Sequence, residues 1–307
     1  MKPSMRTPII TCASRGGAFR LYGMAFAQTH ASILGVRWLA LAGAVVTISA
    51  TSLAQNRPDV RLYYTDSGGS GVPVVLMHAA TGSTRSWEYQ TPAFVKAGYR
   101  VIAFDRRGWG RTEVVAGTAP STAADDLIVL MDELHIDRFH LVGTAAGGFV
   151  TLDTALSFPR RLRSIVVANS IGGVQDPEFL ELGRRLRPAE FTAMPPEVRE
   201  VSPSYRAANP EGTKRWVELE KASRQPDAPA AQPLKNTITF TRLESIRVPT
   251  LLLTGDADMF APPPVLKMFA THLKHADTVV VPEAGHSTYW EQPDVFNRAV
   301  LNFIRRH

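Results

Sequence analysis

The sequence predicts an α/β fold, a mostly parallel, doubly wound sheet with an inserted helical cap. Three observations carry that expectation. Short apolar runs alternate with amphipathic helical stretches over residues 60–170 and again over 248–307, the rhythm of a parallel sheet covered by helices on both faces. Small-residue turns follow several of those runs, at the strand ends where such sheets place ligands. Between 171 and 247 the alternation stops, and a Pro-rich, charged stretch with helical patches takes its place.

Taken in order, Val60–Thr65 alternates as an edge strand and Asp66–Gly71 is a turn cluster. Val72–Met77 reads as a buried strand leading into His78-Ala79-Ala80, then Trp87 and a helical stretch to Ala97. Tyr99–Asp105 is the next strand, followed by the Gly-rich loop Arg106–Thr112. Ser121–His135 carries Leu127, Leu130, Met131 and Leu134 on one helical stripe, with Thr122 and Asp125 spaced to cap its start. The strand Phe139–Val142 runs through Gly143-Thr-Ala145-Ala-Gly147 into a helix ending near Ser157, and Ser164–Ala168 is again a strand. In the break, Phe179–Arg187 and Gly212–Ser223 are the helical patches. A structureless loop of that length is uncommon in a compact domain, so 171–247 is read as the cap and 55–170 with 248–307 as the core. Val248–Leu253 and Asp277–Val281 resume the sheet, each followed by a polar turn and a helix.

The bulk numbers exclude some classes. With 45% hydrophobic and 20% charged residues in 307, the chain is not disordered as a whole. Its net charge of +6 is concentrated at the front: residues 1–54 hold five basic residues and no acid, which leaves 29 basic against 28 acidic residues in the remainder. A body so balanced gives no reason to expect nucleic acid. The front reads as a secretory leader, with Trp38–Ala50 as the apolar core and Ser52-Leu53-Ala54 at the cleavage positions. An uncleaved anchor is the competing reading, and Met24 would start a leader of more ordinary length. Cleavage predicts a periplasmic or secreted protein without stable membrane insertion, and without a thiol, because the only cysteine is Cys12. No cofactor is expected. The eight histidines show no pair at metal-ligand spacing on one helix, and Gly143-x-x-x-Gly147-Gly148 lacks the Gly-x-Gly-x-x-Gly spacing of a dinucleotide loop.

Five motifs occur in a fixed order at strand ends: His78-Ala79-Ala80, Asp105-x-Arg107-Gly108-x-Gly110-x-Thr112, the Gly143–Gly147 turn, Gly255-x-x-Asp258, and Gly285-His286 followed by Glu291-x-Pro293. Together, over about residues 58–306, they resemble the α/β-hydrolase fold family, with the capped esterases, carbon–carbon hydrolases and perhydrolase-like enzymes among its members. The resemblance implies a nucleophile, an acid and a histidine in that chain order. Here those places hold Ala145, Asp258 and His286, with Asp256 as the competing acid. It also implies an oxyanion hole of backbone N–H groups, from Ala146 and from Ala79 or Ala80. Trp109 and Phe149 are candidate pocket residues beside Ala79, whereas Trp87 and Trp290 read as core and His78 as structural.

Alanine at the apex decides the chemistry. An acyl-enzyme route without its serine would lose on the order of 10⁶ in kcat. Three readings follow: His286 and Asp258 acting as a general base on a small apolar carbonyl compound, such as an ester, a lactone or a diketone; a serine hydrolase inactivated at 145; or a binding protein that kept the pocket. The dyad argues against a pure binder. Ala146 beside Ala145 makes the turn read as a native small-residue turn, which favours the first reading.

Overall fold

The computed structural model describes residues 59–228 and 230–307. The expected leader, 1–54, and the first residues of the expected core lie outside the described residues. The strands are β1 (Val60–Arg61), β2 (Tyr64–Asp66), β3 (Pro73–Met77), β4 (Arg100–Phe104), β5 (Glu113–Val114), β6 (Phe139–Thr144), β7 (Leu162–Ala168), β8 (Thr250–Gly255) and β9 (Ala276–Val281). Seven of them form one sheet in the order β2-β4-β3-β6-β7-β8-β9, parallel throughout except for β2, which runs antiparallel to β4.

The expected first strand, Val60–Thr65, is split. β1 pairs with β5 in a separate antiparallel ribbon, and the chain reaches the edge of the main sheet only at β2. The break falls at Tyr63, whose N–H donates to Thr112 Oγ1 at 3.0 Å, so that a side chain replaces a ladder partner.

The helices are α1 (Gln90–Lys96), α2 (Ala123–Glu133), α3 (Ala146–Ser157), α4 (Pro177–Leu186), α5 (Pro196–Glu200), α6 (Pro203–Ala208), α7 (Pro210–Lys221), α8 (Phe240–Leu243), α9 (Pro263–His272), α10 (Thr288–Glu291) and α11 (Pro293–Ile304). The Thr122 hydroxyl accepts from Asp125 N–H at 3.1 Å and caps α2 as its spacing predicts. Because the central strands are covered on both sides, they read as continuous apolar runs whose alternate residues divide between two cores. Val75, Met77, Leu141, Ile165, Val167 and Leu252 meet Leu127, Leu130, Met131 and Phe269 of α2 and α9 on one face. Val74, Leu76, Val142, Val166, Leu251 and Leu253 meet Phe94, Phe296, Val300 and Phe303 of α1 and α11 on the other.

Five helices, α4–α8, lie between β7 and β8. Prolines that interrupt the strand rhythm in the sequence begin four of these helices, at Pro177, Pro196, Pro203 and Pro210, where the missing N–H has no intrahelical acceptor to lose. Phe179 of α4 joins one core, edge-on to Phe240 and Phe269 at 5.3 and 5.7 Å, while Trp216 and Leu219 of α7 join the other. The return to the sheet is pinned by Asp153 of α3, whose carboxylate accepts from the Lys235 and Asn236 N–H groups at 2.8 and 2.9 Å.

Candidate active site

The carboxyl ends of β3, β6, β7, β8 and β9 bring the motif residues into one place. After β6 the chain turns sharply at Ala145, which has φ 51° and ψ −118°, a left-handed conformation rare for a residue with a Cβ. Gly147 allows the turn, since a Cβ there would collide with the Met77 carbonyl oxygen. Ala145 is fixed on both sides: its N–H donates to Ala168 O at 2.9 Å, and its carbonyl accepts from Ser170 Oγ at 2.7 Å and Gly148 N at 3.0 Å. The Ala146 N–H then opens α3 with no acceptor among the described residues, at the positive end of the helix dipole.

His286 Nδ1 lies 2.9 Å from both oxygens of Asp258, which fixes Nδ1–H as the donor and leaves Nε2 to take a proton. Asp258 is 2% exposed and accepts four further bonds, from Asn169 Nδ2 (3.0 Å), Thr254 Oγ1 (3.1 Å) and the Phe260 and Ala261 N–H groups (2.8 and 2.9 Å). Burial works to raise this carboxyl, but the His286 charge and these donors outweigh it and hold Asp258 below the usual carboxylate range. Burial alone pushes the His286 imidazole down; the Asp258 and Glu200 carboxylates reverse that and hold it above its ordinary value. Asp256, the competing acid, is exposed and does not reach His286.

A cavity of about 320 Å³ opens between these groups, walled by Ala80, Ala145, Ala146, Phe149 and His286 from the expected set. Ala80 N–H, like that of Ala146, has no acceptor among the described residues, so two residues of the cavity wall carry an unengaged backbone donor. Two expected pocket residues, Ala79 and Trp109, do not line it. The Ala79 carbonyl turns inward and accepts from Arg106 Nη2 and His78 Nδ1. Trp109 is turned away because its indole N–H donates to Ala80 O at 2.7 Å and its ring stacks with the Arg106 and Arg224 guanidiniums at 4.5 and 4.0 Å; it braces the Ala80 loop from behind. His78 is fully buried, with both ring nitrogens engaged, Nδ1–H to Ala79 O and Nε2 accepting from Arg106 N–H at 3.1 Å. Trp87 and Trp290 are core residues, each 1% exposed.

Sequence reasoning missed Thr81, Asn169, Ile171, Arg187, Glu200 and Phe260, which complete the wall. Asn169 follows β7 directly, so its strand-end position was a usable signal. It has φ 48°, donates to Asp258 and to Gly285 O at 3.0 Å, and accepts from Thr288 Oγ1. Thr81 Oγ1 is buried without a partner among the described residues. Arg187 crosses the Phe191 and Phe260 rings at 5.7 and 5.6 Å, and Phe260 packs on His286 with ring centres 4.3 Å apart. The arrangement can take a proton at His286 and stabilise a developing oxyanion. It has no hydroxyl at the apex, and the Thr144 side chain does not line the cavity.

The model of the alpha/beta hydrolase family matches residues 74–299. The chain is 29% identical over 295 residues to a 2-hydroxy-6-oxononadienedioate/2-hydroxy-6-oxononatrienedioate hydrolase of Burkholderia vietnamiensis, an alignment covering 85% of this chain and 98% of that one. Among solved structures, a thermophilic esterase from Thermogutta terrifontis superposes with a TM-score of 0.68 at 26% identity, over 85% of this chain and 98% of the esterase. Est816, described as an N-acyl homoserine lactone degrading enzyme, superposes with a TM-score of 0.64 at 26% identity, over 80% and 97%.

Proposed function

Because the chain belongs to the alpha/beta hydrolase family, we propose that it hydrolyses a small apolar carbonyl compound, an ester, a lactone or a diketone, by general-base activation of water. One observation carries the reading: His286, paired with Asp258, lines the same cavity as Ala80 and Ala146, whose amides have no acceptor among the described residues, and the apex of that cavity is an alanine. In this reading His286 Nε2 removes a proton from water, the resulting hydroxide adds to the carbonyl carbon, and the two amides hold the oxyanion. A cavity of about 320 Å³ with Phe149, Ile171 and Phe260 in its wall suits a small apolar substrate. The esterase and the lactone-degrading enzyme among the similar structures support the ester and lactone classes, and the Burkholderia hydrolase the diketone class. The leader-like residues 1–54 add that the enzyme works outside the cytoplasm.

The retained elbow bend at Ala145 favours one second reading, a serine hydrolase without its serine. An assay of the parent, Ala145→Ser and His286→Ala on short esters, lactones and diketones separates them. The general-base reading expects turnover by the parent and its loss in His286→Ala. Activity confined to Ala145→Ser supports the disabled serine hydrolase, and ligand binding with silence in all three supports a binding protein.

A further inference from the structure

The base reading leaves one buried group of the cavity unused. Glu200 ends α5, is 7% exposed, and shares the cavity wall with His286, Ala145 and both oxyanion amides. Its place is built by backbone contact between the inserted segment and the histidine loop. Ser202 N–H donates to Glu291 Oε2 at 2.8 Å, and Ser202 Oγ donates to the Glu283 carbonyl at 3.0 Å. Gly285 permits the approach, since a Cβ there would lie 2.8 Å from Ser202 N and 3.0 Å from the Glu200 carbonyl oxygen. Among the described residues no group donates a hydrogen bond to the Glu200 carboxyl, whereas Asp258 has five donors.

We infer that Glu200 is the general acid of this cavity, protonating the departing oxygen of an ester or lactone while His286 acts on water. The inference rests on the general-base reading above. Two carboxyls of similar burial are set apart by their surroundings. Asp258, ringed by donors, is held below the usual carboxylate range, while Glu200, lacking them, is pushed up by burial, the direction a proton donor needs. The charged groups facing Glu200 are His286, Asp258, Arg199 and Glu220, with Arg187 in the same wall. Asp258 and Glu220 reinforce the effect of burial, and His286 and Arg199 oppose it.

The step balances. Water gives a proton to His286 Nε2 and its oxygen bonds to the carbonyl carbon; the intermediate collapses by breaking the bond to the leaving oxygen, which takes the proton of Glu200. The proton on His286 then returns, through solvent, to the Glu200 carboxylate. A general acid matters most where the leaving group is a strong base, so the role has a signature that damage to the fold lacks.

The test compares the parent, Glu200→Gln, Glu200→Asp and His286→Ala on an alkyl ester and on a nitrophenyl ester of the same acyl chain. Glu200→Gln is expected to lose roughly 10²–10³-fold in kcat/KM on the alkyl ester and under about tenfold on the nitrophenyl ester. Glu200→Asp recovers part of the alkyl-ester activity, and His286→Ala loses both substrates. An equal loss on both esters in Glu200→Gln, or none, overturns the assignment while leaving the base reading intact. Activity retained in His286→Ala overturns both, and a parent inactive on both esters overturns the assignment.

Discussion

At the scale of single residues, Ala145 shows that the elbow serves its backbone. Its left-handed bend costs about 1–3 kcal/mol, and with no hydroxyl present the bend opens α3 at Ala146, a residue of the cavity wall. The dyad supplies the sharpest predictions. Asp258→Asn removes the charge that orients His286 and is expected to lower kcat/KM about 10³–10⁴-fold without loss of fold, checked by steady-state kinetics beside a thermal melt. In the general-base reading activity needs neutral His286, whose pKa is held above the usual value of about 6.5 chiefly by the Asp258 carboxylate. The rate therefore falls as pH drops through a midpoint above that value. Asp258→Asn moves the midpoint down, because a charge that raises it is gone; a pH profile of kcat/KM shows either result. Thr81→Val takes away a buried, unpartnered hydroxyl of the wall. If that hydroxyl assists the oxyanion, kcat falls roughly 10-fold or more with little change in KM. Asp258 and His286 were legible because their turns carry glycine and acid spacings that few other structures need. Glu200 was not, since it is one acid among several in a charged segment and only burial sets it apart.

At the scale of elements, the histidine loop is held by one carboxylate. Glu291 of α10 accepts from Gly285 N at 3.0 Å, Ser287 N at 3.2 Å and Ser202 N at 2.8 Å. Glu291→Ala strands three backbone donors, each costing about 1–3 kcal/mol when buried and unpaired. A loss of at least about 3 kcal/mol in urea unfolding is expected, with a fall in kcat even where the fold persists. Element type was legible wherever an apolar period or a cap was explicit, as at Thr122 and along Leu127, Leu130 and Met131. The split of Val60–Thr65 was not, because Tyr63 is diverted by the hydroxyl of Thr112, nearly fifty positions away. Prolines that look like loop signals begin helices here, since a first-turn proline and a loop proline read alike in sequence.

For the whole molecule, the alternation of strands and helices announced a parallel sheet, but the strand order and the anchoring of α4 and α7 in opposite cores depend on contacts far apart in the chain. Burial also sets the response to acid. His78 and His140 are held neutral, both chiefly by burial, His140 with its pKa lowered to about 4. The unfolded chain takes up these protons near pH 6.5, so stability falls as pH drops below that value, by up to about 1.4 kcal/mol per pH unit for each histidine. Urea midpoints measured between pH 7 and pH 4.5 should fall, and His140→Gln should flatten the slope. The Glu291 carboxylate grips the segment carrying Glu200 and the loop carrying His286, so one buried side chain sets the spacing between two walls of the cavity.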